Sequence, residues 1–256
     1  MSERREQAQD APAVGRIDRH MRMSLLGGFQ LEKEGADLIL PEGSQRLLAF
    51  LALEGRWVRR QTVAGMLWPV ATQEHAFSSL RSALARLDAG ARSAVQATAA
   101  QLRLSDDVSV DLWDSRTLAH HLVEQPQASL PEHLDAEAIS ALSGELLPDW
   151  YDEWVLVESE DWRQLRLHAL EALAQSLATG GNFAAAAEAA LAAVKAEPLR
   201  ESPRAALIRV HIAEGNASEA LREFARYREL LMVELGVEPT ERLRKLVGGL
   251  GVVTPR

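Results

Sequence analysis

A repeat at a spacing of 34 residues constrains the fold of this chain more than any other feature. The pair Gly181 and Asn182 recurs as Gly215 and Asn216, and each pair is followed by small, alanine-containing segments. A period of 34 residues is typical of tetratricopeptide helix pairs, in which a glycine turn joins two antiparallel helices and alanines let them approach closely. The second half of the chain is therefore predicted to be an all-α, tetratricopeptide-like helical repeat domain.

The length and composition of the chain indicate two globular domains. Its 256 residues exceed one average domain of about 150 residues. A hydrophobic content of 47% and a charged content of 25% are ordinary for a globular protein. We expect a flexible arm over residues 1–20, a first domain over residues 21–122 that folds on its own, and a helical domain over residues 123–256 that begins with the connecting run PQASLPE.

The chain contains no cysteine, which excludes disulfide bonds and thiolate chemistry and suits a reducing compartment. No apolar run approaches the roughly 20 residues that a membrane helix needs. The opening segment MSERREQAQDAPAVGRIDRH lacks the apolar core of a signal peptide. We therefore expect a soluble, cytoplasmic protein without a membrane partner.

Charge is divided unevenly between the two halves. The whole chain has 28 Lys and Arg against 37 Asp and Glu, a net charge of −9. Residues 1–122 hold 15 basic and 15 acidic side chains, so the remaining residues hold 13 and 22. Because distant charge is screened over about 10 Å, the acidic total does not exclude a basic DNA-binding surface on the first half. It argues against such a surface on the second half.

Two hairpins of alternating apolar residues are expected in the first half. The first pairs a run that begins at Met23 with residues 37–40, across the turn at residues 33–35. The second pairs residues 101–104 with residues 108–112.

Three helices are predicted between the hairpins. The first is capped by Ser44 and ends near Gly55, the second covers residues 61–68, and the third covers about residues 72–87. A hairpin, three helices and a second hairpin form the layout of a winged helix. The third helix of a winged helix enters the major groove of duplex DNA in the usual docking.

The third predicted helix separates an apolar stripe from a small, polar and basic face. At about 100° per residue, the apolar residues fall on one side, namely Phe77, Leu80, Leu84 and Leu87. The other side holds the candidate DNA-binding residues His75, Ser78, Ser82 and Arg86, flanked by Ser79, Arg81 and Ala85. Arginine and hydroxyl side chains are the donors that phosphate contact and base readout require. A plain solvated surface is the alternative interpretation.

Further arginines are candidates for DNA contact. Arg103 lies in the second predicted hairpin, where it would reach the DNA backbone or minor groove as the wing, or else be an ordinary exposed strand residue. Arg46, Arg59 and Arg60 lie at or beside predicted helix starts, where backbone donors also face anions. These three are equally consistent with solubilising charges.

The aromatic and acidic clusters of the second half have simpler interpretations than a catalytic site. Trp150, Trp154 and Trp162 fall at helical spacing, so we expect them in the core on one helix face. The acidic residues between positions 149 and 161 are expected to be solvated, and no Gly-rich phosphate loop or nucleophile elbow is present. We expect no enzyme activity, no cofactor and no metal site.

From about Met23 to its C-terminus, the chain resembles a known family, the Streptomyces antibiotic regulatory proteins. The first two helices and the recognition helix of that family resemble the segments LLAFLALEGRWVRRQTVAGMLW and AFSSLRSALARL. Its bacterial transcriptional activator domain resembles the segments GELLPDWYDEWVLVESEDWRQLRLHALEALA and EPLRESPRAALIRVHIAEGNASEALREFARYRELLMVELGVEP. The chain departs from the family pattern at Ala85, where Trp is frequent, and at Val70, where Asp is common.

This resemblance implies a transcriptional activator that binds DNA through its winged helix. The partners it implies are double-stranded promoter DNA, RNA polymerase and a second copy of the protein, and the regulated genes tend to form biosynthetic clusters. The alternative is a protein-interaction scaffold whose winged helix binds protein instead of DNA.

Overall fold

The computed structural model describes residues 21–125 and 135–250, so the expected arm and the PQASLPE connection lie outside the described residues. The strands are β1 Met21–Ser24, β2 Gln30–Lys33, β3 Ala36–Asp37, β4 Val58–Arg59, β5 Val95–Ala97, β6 Gln101–Leu104 and β7 Val108–Val110. The helices are α1 Glu42–Glu54, α2 Arg60–Leu67, α3 Gln73–Ala85, α4 Asp111–Glu124, α5 Asp135–Ser143, α6 Glu153–Thr179, α7 Phe183–Ala196, α8 Glu201–Ala213, α9 Ala217–Leu235 and α10 Glu241–Gly248. A short 3-10 helix covers Ala91–Ala94. The predicted class is confirmed: a mostly α protein with a winged helix followed by helical repeats.

The first predicted hairpin is part of a larger sheet, with the strand order β3-β2-β1-β7. β1 begins at Met21 and pairs antiparallel with β2, which turns through Glu34 and Gly35 into β3. The predicted return at residue 37 is confirmed, because Glu32 pairs with Asp37, whereas residues 23–24 pair with β2 and not with residues 37–40. Gly27 and Gly28 have φ angles of 82° and 143°, so the strand cannot continue through them.

The second predicted hairpin is wrong in its pairing. β6 lies between β4 and β5 in a separate sheet, whereas β7 pairs parallel with β1 and places Met23 beside Val110. The alternation of residues 108–110 correctly indicated a strand, but alternation alone does not name the neighbouring strand. Val108 and Val110 are completely buried. Burial against β1 therefore decides which sheet this strand joins.

The three predicted helices of the first half are present as α1, α2 and α3, although α1 starts earlier and α3 ends two residues earlier than predicted. The helix α4 was not predicted, and its first residues, 111–112, were expected in a strand. The helix α1 begins at Glu42 with Pro41 as its N-cap, so the predicted Ser44 cap is wrong. Ser44 is completely buried inside the helix, and its hydroxyl donates a hydrogen bond of 2.8 Å to the carbonyl of Ala83 in α3. Gly55 ends α1 with a left-handed φ of 60°, as its place in the sequence indicated.

The repeat in the second half has the same structure at both positions. Gly181 and Gly215 have left-handed φ angles of 81° and 84°. Asn182 and Asn216 are the N-caps of α7 and α9, and their side chains accept backbone N–H groups three residues later. The α6–α7 and α8–α9 pairs are thus equivalent helical hairpins, as the spacing predicts. Among the described residues, no helix is both long and apolar enough to span a membrane.

The predicted tryptophan cluster is only partly on one helix. Trp154 and Trp162 are buried on α6, but Trp150 lies before that helix and stacks on Phe29 with 6.1 Å between ring centroids. Trp154 packs edge-on against Phe50 of α1 at 5.3 Å. The expectation that all three share a helix face is wrong, because the helix starts only at Glu153. The ring contacts instead join the winged helix to α6.

One hydrophobic core passes through both halves. Its buried residues run from β1 through the winged helix to α8, and a smaller core joins α8, α9 and α10. Two backbone hydrogen bonds also connect the two halves. Gly27 N–H donates to the Glu145 carbonyl at 2.7 Å, and Leu147 N–H donates to the Leu25 carbonyl at 2.9 Å. The boundary near residue 122 stays a prediction, but these contacts make each half a packing surface for the other.

Asp111, the first residue of α4, holds the end of β1 against this helix. Its carboxylate accepts the N–H groups of Leu25 and Leu26 at 2.9 and 3.1 Å, just after β1 ends. Burial raises the pKa of Asp111, although these hydrogen bonds and one from the N–H of Leu112 favour the ionised form. Asp111 stabilises the fold despite this cost, because its carboxylate accepts hydrogen bonds from backbone N–H groups that the sheet leaves without an acceptor.

We expect Asp111→Ala to lower the free energy of unfolding by about 1–3 kcal/mol, because the N–H groups of Leu25 and Leu26 lose their acceptor. Urea unfolding followed by circular dichroism measures this change. Asp114→Ala is the matched control, since Asp114 is exposed on the same helix. Equal unfolding of the two variants would contradict the assigned role of Asp111.

We expect a chain that ends at Gln125 to unfold at a lower temperature than the full chain. The truncation removes the partners of Leu25, Phe29 and Phe50 and exposes part of the shared core. A chain that starts at Met21 is the control, because it keeps every described contact. Equal melting of the truncated and full chains would show that these contacts add no stability to the first half.

Candidate nucleic-acid interface

The predicted basic face of α3 is exposed in the structure. Thr72 caps the helix, and its side-chain oxygen accepts the N–H of His75 at 3.4 Å. Leu80 and Leu84 are buried on the inner side. The outer side exposes most of the candidate residues, namely His75, Ser78, Arg81, Ser82 and Arg86, while Ser79 is half-buried. The helix ends at Ala85, so Arg86 is its C-cap residue and Leu87 follows as a buried residue beyond the helix.

Two guanidinium groups on this face are available for an external partner. Within residues 21–125 and 135–250, the side chains of Arg81 and Arg86 make neither a hydrogen bond nor an ion pair. Glu74 lies at the other end of α3, in its first turn, where a negative charge favours the helix dipole. The positive charge of the helix is therefore concentrated toward its C-terminal end.

A cleft of about 310 Å³ lies on one side of α3. Ser78, Ser82 and Arg86 line it from α3, and Gly43 and Trp68 line it from the opposite wall. Gly43 belongs to the first turn of α1, which has no side-chain cap. The first N–H groups of a helix have no acceptor within that helix and favour an anion. This cleft therefore combines hydroxyl, guanidinium and backbone donors.

A second cleft, of about 490 Å³, is lined by Arg60, Arg81 and Arg92. Arg60 is held by two hydrogen bonds of 3.1 Å to the carbonyl of Thr98, at the turn between β5 and β6. Arg92 is positioned by a bond of 3.4 Å to the carbonyl of Leu84. Asp88 also lines the cleft, and its carboxylate accepts the N–H of Ala91 at 2.7 Å. Three cations against one carboxylate leave the cleft with a net positive charge.

The sequence prediction missed Arg92. It lies in the 3-10 helix after α3, outside any helical or strand periodicity. Arg92 is only six residues beyond Arg86. The sequence does not show, however, that the chain turns after α3 and brings Arg92 back to this helix.

Arg103 is held within the wing. Its guanidinium donates to Gln96 at 2.8 Å and to Asp106 at 2.6 Å, and it lies over the ring of Trp57 at 5.0 Å from the centroid. The side chain retains 29% of its exposure. These contacts fix the wing and satisfy most of the donors of Arg103, whereas the donors of Arg81 have no partner in the part of the chain that the structure describes.

The structure does not bring Arg46 to the exposed face of α3. Side chains two positions apart on a helix point in directions that differ by about 200°. Arg46 therefore points away from Ser44, which contacts α3. Its guanidinium donates to the carbonyl of Leu67 at 2.9 Å and forms an ion pair with Asp152. Arg46 thus joins α1, the end of α2 and the start of α6. Arg59 is exposed as the N-cap residue of α2.

The two departures from the family pattern are both on the surface. Ala85 is exposed on the basic side of α3, and Val70 is fully exposed in the turn before α3. A missing Trp at position 85 therefore changes the outer face of the helix and leaves the core unchanged.

The fold and this face define the class of the protein: a winged helix with a basic third helix, joined to tetratricopeptide-like repeats. Residues 110–250 match the family described as the bacterial transcriptional activator domain, and the chain belongs to this family. The resemblance to the Streptomyces antibiotic regulatory proteins is confirmed by this match and by the relatives described below.

One relative is the regulatory protein AfsR of Streptomyces coelicolor, which is 29% identical over 238 residues. The match covers 88% of this chain and 24% of AfsR, so the chain spans about a quarter of that relative's length.

A solved structure with the same fold is Mycobacterium tuberculosis EmbR in complex with a low affinity phosphopeptide. The TM-score is 0.69 at 22% identity, and the similarity covers 90% of this chain and 65% of the EmbR chain. At 22% identity, this similarity shows that the two halves of the chain share the fold of EmbR, and it does not show which ligands they bind.

We expect the double change Arg81→Ala and Arg86→Ala to weaken DNA binding while the melting temperature stays nearly unchanged, because both side chains are exposed and unpaired among the described residues. Gel shift and thermal unfolding measure the two effects. Arg242→Ala is the control for charge, since Arg242 is exposed on α10.

The control for folding is Leu84→Ala, which should cost about 2–5 kcal/mol of stability by leaving a cavity. Unchanged DNA binding in the double variant would remove α3 from the interface.

Proposed function

We propose that this protein is a DNA-binding transcriptional activator that places α3 in the major groove of promoter DNA. The observation that carries this proposal is the exposed face of α3, on which Arg81 and Arg86 are unpaired among the described residues. Arginine is the side chain that binds guanine with two parallel hydrogen bonds, and serine hydroxyls donate to bases and phosphates. The family membership supports the same function.

The two clefts would receive the DNA backbones on either side of the major groove. This groove is about 12 Å wide, so a helix lying in it has one backbone on each side. The cleft with Arg86 and the N-terminus of α1 would take phosphates of one strand, and the cleft with Arg60, Arg81 and Arg92 would take those of the other. Phosphate contacts fix the register of the protein, and base contacts from α3 then read the sequence.

The helical half would recruit RNA polymerase to the promoter. Its acidic balance of 13 basic against 22 acidic residues after position 122 suits a protein partner and opposes a second DNA surface. The family resemblance supports RNA polymerase as this partner, a second copy of the chain on the DNA, and a biosynthetic cluster as the regulated genes. The proposal contains no catalytic step, since the sequence offers no nucleophile with an activating base.

A protein-interaction scaffold is the competing function, and the salt dependence of DNA binding separates the two. A DNA binder loses affinity steeply as salt rises, because each phosphate contact releases condensed counterions. We expect gel shifts of genomic fragments to weaken strongly between about 50 and 200 mM salt. A scaffold would give no salt-sensitive shift.

Arg92→Ala should reduce the slope of log affinity against log salt by roughly one, which is the loss of one phosphate contact. The reduction should be similar on every DNA sequence, because a phosphate contact carries no sequence information. Arg242→Ala should leave the slope unchanged. An unchanged slope for Arg92→Ala would exclude Arg92 from the interface.

A further inference from the structure

A cleft of about 520 Å³ lies between α5, α6 and α7, and we call it the α7 cleft. One wall is the side of α7 that carries Leu191, which is 41% exposed, and four alanines, namely Ala184, Ala187, Ala192 and Ala196. Methyl groups fill little space, so this wall leaves a hollow. The other alanines of α7 face the core, namely Ala186, Ala189, Ala190 and Ala193. A cleft of this size lies within the range of about 300–1,000 Å³ that holds small molecules.

Arg166 of α6 lines the α7 cleft and carries a charge that has been taken out of water. It is 3% exposed and is the only buried lysine or arginine within residues 21–125 and 135–250. Its guanidinium donates to the carbonyl of Ser143 at 2.9 Å, whereas its Nε has no hydrogen-bond partner among these residues. Because arginine stays protonated inside proteins, a full positive charge is buried beside one neutral acceptor.

Other well-covered arginines of the chain have a carboxylate in direct contact. Arg46 forms a hydrogen-bonded ion pair with Asp152, and Arg204 forms one with Glu223. A buried cation costs free energy unless an anion pairs with it closely. Arg166 differs from these two arginines because no carboxylate of the described residues hydrogen-bonds to it.

Glu145 and Glu197 are the carboxylates that act on the charge of Arg166, and neither pairs with it closely. Glu145 Oε1 lies 3.6 Å from a guanidinium nitrogen, which is too long for a hydrogen bond, and the Glu145 side chain is 62% exposed. Glu197 is already paired with Arg163 at 2.6 Å. Burial lowers the pKa of Arg166 more than these two carboxylates raise it. The backbone of Glu145 is held by Gly27 N–H, so its side chain can move aside while the main chain stays in place.

The remaining charges of the α7 cleft are hydrated. Lys195 and Glu188 line it, and both are exposed without a hydrogen bond or an ion pair in the part of the chain that the structure describes. Their opposite charges balance in water, whereas the charge of Arg166 is fixed in the protein. An anion that enters the cleft therefore gains most at Arg166, and Leu191 with the alanines favours an apolar group attached to that anion.

We propose that the α7 cleft binds a small molecule with a carboxylate head and an apolar body. The carboxylate displaces the side chain of Glu145 and accepts charge-assisted hydrogen bonds from Arg166. The apolar body lies against Leu191 and the alanine wall of α7. The inference goes beyond the proposed function, because it depends on neither DNA nor polymerase binding.

Titration of the full-length protein with octanoate, followed by NMR of the backbone amides without DNA, tests the proposal. We expect saturable shifts that are largest at the end of α5 and along the cleft side of α7. Octanamide has the same apolar body without the charge, and it should bind about tenfold more weakly or less. Inorganic phosphate, which has charge without an apolar body, should also bind more weakly than octanoate.

Glu145→Gln keeps the shape of the side chain and removes the charge that competes with the ligand. This variant should bind octanoate about two- to fivefold more tightly, which is the effect of an exposed ion pair. Glu229→Gln, on the exposed side of α9, is the matched control and should leave octanoate binding unchanged.

Ala187→Leu fills the α7 cleft and should weaken octanoate binding about tenfold or more through steric exclusion. Its matched control is Ala172→Leu, which makes the same change in a separate groove of about 470 Å³ between α6 and α8. Loss of binding in the control, with full binding by Ala187→Leu, would place the ligand in that other groove and contradict the proposal.

Arg166→Met should abolish the preference for octanoate over octanamide. Thermal unfolding of every variant shows which of them fold, and if Arg166→Met does not fold, Glu145→Gln and Ala187→Leu decide the result. Three outcomes would overturn the proposal: no saturable octanoate binding up to about 10 mM, equal binding of octanoate and octanamide, or phosphate binding as tight as octanoate binding. Failure of the proposed function is distinct, since it appears as a missing salt-sensitive DNA shift whatever octanoate does.

Discussion

The carboxylate of Asp111 is the point at which the sheet, α4 and the beginning of the second half meet. It accepts the N–H groups of Leu25 and Leu26 directly after β1, and β1 in turn pairs with the strand that leads into Asp111. The same few residues then bond to the backbone of Glu145 and Leu147. Removing a carboxylate from water is costly even when it is only half-buried, and the raised pKa of Asp111 reflects that cost. Pairing otherwise unsatisfied backbone donors offsets it, and the winged helix and the repeats are thereby built around one junction.

The parts of the fold that depend on local rules could be predicted from the sequence. The Gly181-Asn182 and Gly215-Asn216 turns were predictable because a left-handed glycine and an asparagine cap act within a few residues. The pairing of β7 with β1 was not, since it depends on burial between residues about ninety positions apart in the chain. Ser44 shows the same limit: its type favours a helix cap, but its burial against Ala83 places it inside the helix.

The candidate site also contains some residues that could be predicted from the sequence and others that could not. The exposed residues of α3 followed from periodicity, because a single helix decides which side faces outward. Arg46 and Arg103 are of the right chemical type, yet Asp152 and Leu67 hold the first, and Gln96, Asp106 and Trp57 hold the second. Arg92 enters the site only through the chain reversal after α3. Tertiary contacts therefore decide which of several arginines remain available to a ligand.

The bridge from Arg46 to Leu67 and Asp152 also has a geometric consequence for a promoter. Because α1, α2 and α6 are joined and share one core, the direction from α3 to the outer side of α6 is set by the fold. On B-form DNA, which turns once in about 10 to 10.5 base pairs, a rigid protein presents its outer surface on one side of the duplex only. The spacing between the operator and the polymerase site would then set the direction in which the helical half points. Moving the operator by half a turn of DNA would point the helical half away from the polymerase, and moving it by a whole turn would restore the alignment.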